Sequence, residues 1–156
     1  MKIEIIFRAK RESDGSWVYG DLIQQNSGLT QIQTNLNTWK INPEDIDEYG
    51  ETITVDPDTV GQFIGREDNS HYKIFDGDII TVNGNNPKIV RYMPERCAFC
   101  LSNISDNISD LYHIDEWDIW QQPPAVWWDT MTIEVIGNIY DNKLLLEHGE
   151  FLTDNK

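Results

Sequence analysis

Apolar and polar residues alternate from the start of the chain, through Ile3-Glu4-Ile5 and on to Phe7-Arg8. A period of two sets one group of side chains on one face of a strand. Ile3, Ile5 and Phe7 therefore share a face of a first predicted strand, with Glu4 and Arg8 opposite. Asp14-Gly15 interrupts the pattern, and glycine tolerates the positive φ that tight hairpin turns demand. Trp17 and Tyr19 alternate on the returning strand, and Gly20-Asp21 reads as a bulge before Leu22 and Ile23.

The pattern weakens from Gln24 to Lys40, a polar, amide-rich stretch that reads as a short strand or a loop. Asn42-Pro43 opens a turn or a helix, with Glu44 and Asp45 suited to a first helical turn. Thr52 to Val55 is β-rich, Asp56-Pro57-Asp58 is a turn, and Val60 to Phe63 is extended. Gly65 to Ser70 reads as a polar turn. Lys73-Ile74-Phe75 then enters Asp76-Gly77-Asp78, where the two aspartates suit turn capping. "DIITV" and "KIVRYM" read as strands joined by the hairpin turn "NGNN". "AFCLS" is a further strand, and "TIEVIGNIYD" supplies one or two more, broken at Gly137. There is no internal repeat. Many short strands separated by turn signals predict a mainly β protein, a barrel or sandwich with little helix.

Composition narrows the partners. The 156 residues hold 27 Asp plus Glu against 12 Lys plus Arg, a formal net charge of -15. A surface that negative repels phosphate backbones and anionic membranes, so direct nucleic-acid or membrane binding is not expected. The tightest basic cluster is Arg8, Lys10 and Arg11, with Glu12 and Asp14 beside it. "IEIIF" is too short for a signal-peptide core, and no apolar run reaches membrane-spanning length. Two cysteines do not make a disulfide framework. A cytoplasmic protein is expected.

Candidate chemistry is sparse. Cys97 and Cys100 form a lone Cys-x-x-Cys, whereas structural zinc takes four ligands. His71 and His113 have no ligand-like spacing to them, and in a strand the two thiols would face opposite sides. Buried free cysteine is the simpler reading. Glu44 with Asp45, Asp76 with Asp78 and Glu116 with Asp118 are paired carboxylates, but nothing in the sequence brings them into one pocket. His71, His113 and His148 are scattered, and neither a Gly-x-Ser-x-Gly elbow nor a phosphate-binding loop occurs. The sequence therefore predicts no catalytic residues, no metal site and no cofactor.

Ser102 to Asp129 stands apart. It carries Asp106, Asp110, Asp115, Glu116, Asp118 and Asp129, and no Lys or Arg lies between Arg96 and Lys143. Ile104, Ile108 and Leu111 have helical spacing, and Trp117, Trp120, Trp127 and Trp128 flank Pro123-Pro124. These tryptophans either pack on the strands or form a partner-binding patch with an acidic rim.

"FRAKRESDGSWVYGDLI", "PEDIDEYGETITVDPDTVGQFIG", "IFDGDIITV" and "IEVIGNIYDN", in that order, resemble the YopX-like proteins of bacteriophages and prophages. The resemblance covers roughly Ile5 to Asn142. It implies a mostly β protein whose later part is an SH3-like barrel, self-association into a homo-oligomer, and no catalytic set to carry over. Two departures stand out: the turn before "IFDGD" reads "NSHYK" where relatives often have an Asn-Gly-Lys-like turn, and Ser102 to Asp129 is longer than the relatives' connection. The expected organisation is an N-terminal β-hairpin region over 1–62, an SH3-like barrel over 63–142 with an insertion at about 103–125, and a tail over 143–156. The expected function is that of a non-enzymatic module binding a protein partner: itself, or a host or phage protein. The alternatives are an acidic DNA mimic that inhibits a host nucleic-acid enzyme, and a metal-dependent hydrolase.

Overall fold

The structure, a computed structural model, describes residues 3–34, 50–103 and 131–148. The chain divides into two compact units, Met1–Gly65 and Arg66–Lys156.

The first unit contains β1 (Phe7–Lys10), β2 (Trp17–Gln24), β3 (Thr30–Gln33), β4 (Thr52–Thr54) and most of β5 (Gly61–Glu67). These run in the order β4-β3-β2-β1-β5, and β6 (Lys73–Phe75) follows in the second unit. The predicted hairpin is present. Gly15 sits at φ 73, and the Arg11 N–H donates to Ser16 O while the Gly15 N–H donates to Arg11 O. The register Ala9↔Val18 and Leu22↔Ile32 puts apolar residues on one face. Ala9, Val18, Ile32 and Val55 form the buried cluster there, backed by Phe7, Leu22, Ile53 and Val60. Complete burial of a side chain such as Ile32 contributes about 1.5–3 kcal/mol, so this face drives the unit's folding.

The sheet also curls. Arg11 and Val55 make an isolated antiparallel bridge, with the Glu12 N–H donating to Thr54 O and the Asp56 N–H to Lys10 O. That single bridge brings the chain after β1 against the end of β4, but no closed barrel forms among the described residues. Asp56 then caps the 3-10 turn Pro57–Thr59, accepting from the Asp58 N–H.

The second unit contains β7 (Asp78–Val82), β8 (Asn85–Met93), β9 (Ala98–Asn103), β10 (Ile133–Asn138) and α1 (Lys143–His148). Four strands form an antiparallel sheet in the order β10-β7-β8-β9. Asn83 and Gly84, at φ 54 and 77, make the β7–β8 turn with the paired positive φ that suits right-twisted strands. Leu146 of α1 packs on Ile79 and Ile89, with Ile136, Ile139 and Leu145 around them. The fold is thus mainly β: two antiparallel sheets and one short helix among the described residues.

Several local expectations change. Ile3 and Ile5 precede β1 and are exposed, because the first strand starts at Phe7. No register shift falls at Gly20; the glycine is needed because a Cβ there would overlap the Gln33 carbonyl. β5 continues through Gly65 to Glu67, so the polar turn begins only at Asp68. The expected break at Gly137 is instead a register shift between Val135 and Gly137 within one continuous strand, β10. Residues 143–148 of the expected tail form a helix, because Leu146 finds an apolar seat. The helical readings at Asn42-Pro43 and at Ile104 to Leu111 fall outside the described residues.

Candidate functional site

The aspartates singled out in the sequence have structural work. Asp78, buried, accepts the Phe75 N–H at Oδ2 (2.8 Å), and Asp76 accepts the Tyr92 N–H at Oδ1 (3.2 Å). Gly77 between them sits at φ 91, and a Cβ there would lie 3.2 Å from the Tyr140 ring. Asp14 accepts from the Ser16 hydroxyl (2.6 Å) and N–H (2.9 Å), and the hydroxyl bond leads in holding its carboxyl below the ordinary range.

Asp68 is the most committed of them. Its carboxylate is buried and accepts three backbone N–H groups: Ser70 and Tyr72 at Oδ1 (2.9 Å each) and Val135 at Oδ2 (3.0 Å). Next to it, the Asn69 N–H donates to Ile133 O (2.9 Å) while Asn69 Oδ1 accepts the Ile133 N–H (2.7 Å). On the opposite edge, which faces β7, Asn83 makes the same pair of bonds one residue upstream, its N–H donating to Thr132 O and its Oδ1 accepting the Thr132 N–H. The turn after β5 thereby occupies the outer edge of β10, where another strand would otherwise pair. An edge strand presents unpaired backbone groups, and here two side chains satisfy them.

On the outer face of the hairpin, the Arg8 guanidinium stacks 4.6 Å from the centroid of the Trp17 ring, and Lys10 Nζ lies 5.4 Å from it. The register Lys10↔Trp17 and Arg8↔Tyr19 puts these four on one face, and Tyr19 is exposed. In the second unit Tyr92 and Phe99 pair across β8 and β9, edge to face at 5.3 Å, with Tyr92 exposed.

The thiols are not brought into one strand. Cys97 is exposed at φ 50 just before β9, after the 3-10 turn Pro94–Arg96, while Cys100 is buried within β9. Burial pushes the Cys100 thiol up, and Arg96 partly offsets that. His71 is exposed beside Glu67, with Nδ1 3.5 Å from Oε2. Among the described residues no group of three or more His, Cys, Asp or Glu could hold a metal ion. Nor is any helix among them long and apolar enough to cross a membrane. Glu44, Asp45, His113, Glu116, Asp118 and the four candidate contact residues Trp117, Trp120, Trp127 and Trp128 lie outside the described residues.

The sequence reading missed Asp68, Asn69 and Asn83 as a group. "EDNSH" carries a local turn signal, but partners more than sixty residues away leave no trace in spacing.

The family described as YopX protein matches residues 6–147. The chain belongs to the YopX family. A search of the curated proteins finds no match. For this YopX family member, the match runs through both compact units and through the Asp68–Asn69 turn.

Proposed function

We propose that this YopX family chain is a non-enzymatic binding or assembly module of a phage or prophage. It acts in the bacterial cytoplasm by contacting a protein partner, including further copies of itself. The observation that carries this reading is the use made of its carboxylates. Asp14, Asp56, Asp68, Asp76 and Asp78 each accept a backbone N–H, so these acidic groups hold turns rather than converge on a substrate. Exposed Tyr19, Tyr72 and Tyr92 supply the residue type that interfaces favour. The SH3-like arrangement of the later strands, and the partner role of Trp117, Trp120, Trp127 and Trp128, belong to the same proposal. So does indifference to duplex DNA at physiological salt, given a net charge of -15.

The test is sedimentation of the purified chain over a range of concentrations, beside cross-linking in the producing cell. Concentration-dependent assembly, or one stoichiometric cross-linked partner, supports the reading. A strict monomer with no cross-linked partner retires it.

A further inference from the structure

We infer that residues 131–148 are a self-contained strand-and-helix ligand held non-covalently in an acceptor groove of the second unit. Chain continuity through the connection before them is then dispensable for keeping them in place. The groove has three parts: the free side of β7, the Asp68–Asn69–Asn83 clasp, and the apolar seat of Ile79 and Ile89.

Each part meets its counterpart through contacts of its own. β10 pairs with β7 from Ile133↔Val82 to Asn138↔Asp78. Asp68 and Asn69 fix the backbone of Ile133 and Val135 from the other side, while Asn83 extends the β7 pairing to Thr132. The strand's first half is therefore held along both edges. The Ile139 N–H continues the pairing to Gly77 O at 2.9 Å, and Leu146 fills the apolar seat.

The ligand segment is also pre-shaped. Asn138 Oδ1 accepts the Tyr140 and Asp141 N–H groups, and Asn142 Oδ1 accepts the Asn138 N–H. A Cβ at Gly137 would overlap that Asn142 oxygen, so glycine there leaves room for the Asn142 side chain to hold the corner. A segment that arrives in its bound shape loses less conformational freedom on docking.

β9 and β10 occupy opposite edges of the four-stranded sheet, about 14 Å apart at ordinary strand spacing. Roughly five extended residues would span that distance, whereas residues 104–132 separate the two strands. A tether so much longer than its span does not dictate register, and closure entropy varies slowly with length. The register is set by the groove.

The experiment uses the full chain with a Gly-Ser-flanked protease site inserted near residue 115. After cutting, the two pieces are expected to co-elute with an unchanged far-ultraviolet circular dichroism spectrum, and a fluorescent copy of the 131–156 piece should exchange in slowly. In the cut protein, Asp68→Ala with Asn83→Ala should speed that exchange by at least ~10-fold, because the Thr132 and Val135 N–H groups lose their acceptors. Leu146→Asp in the labelled piece should abolish its uptake, which separates specific seating from co-aggregation. Separation or unfolding of the pieces on cutting overturns the inference, and so does exchange indifferent to all three substitutions. Self-association of the uncut chain bears on the proposed function alone, so the two can fail independently.

Discussion

Asp68 Oδ2 accepts the Val135 N–H at 3.0 Å, joining the turn after β5 to an edge strand 67 residues further on. The same carboxylate accepts the Ser70 and Tyr72 N–H groups through its other oxygen. Local turn and distant strand are therefore satisfied by one buried side chain, and neither can be rebuilt without disturbing the other.

Asp68→Ala should cost about 2–4 kcal/mol, since it removes the acceptor of three part-buried N–H groups at once. In a domain of this size that lowers Tm by roughly 5–12 °C. Asp68→Asn should cost less, because its amide oxygen can still serve one side of the pair. Differential scanning calorimetry of the two variants checks the order; equal melting temperatures for both and the parent would remove Asp68 from the structural account.

Gly20 and Gly15 should respond differently to alanine. At Gly20 the new Cβ meets the Gln33 backbone carbonyl, which cannot move without opening β2–β3, so a loss of about 3 kcal/mol is expected. At Gly15 the space is open and only the positive φ resists, a cost of about 1 kcal/mol. Urea midpoints of the paired variants measure the difference.

The two cysteines should react in sequence. Cys97 is exposed, while burial raises the Cys100 thiol above its ordinary range and keeps it protonated. Native protein treated with iodoacetamide at neutral pH should carry one label, on Cys97, and take up the second only on unfolding. The sign for stability follows: with the folded pKa raised, the Cys100 contribution is intact below the unfolded thiol value near 9.0 and falls as pH rises above it. Mass spectrometry after timed labelling, and melts at alkaline pH in the parent and Cys100→Ala, check both statements.

Replacing residues 104–125 by a short Gly-Ser linker should leave the melting temperature within a few degrees while weakening self-association. Shortening a long connection changes closure entropy only slowly. Unfolding of the deletion would assign Trp117 and Trp120 to the core and end their candidacy as contact residues.

The local grammar of this protein is written in its residues. Alternation at Phe7 to Lys10 and Lys88 to Met93, Asp14-Gly15, Asn83-Gly84 and Asp76-Gly77-Asp78 all act within a few residues, where backbone sterics and short hydrogen bonds decide the outcome. Family kinship was legible too, because those signals recur in a fixed order. Tertiary structure alone decided which edges meet. Arg11 reaches Val55, Asn69 mimics a strand against Ile133, and Leu146 seats on Ile79 and Ile89. Those choices depend on curl and register accumulated over many strands, and a periodic pattern states which face a residue takes but not which distant backbone lies beside it.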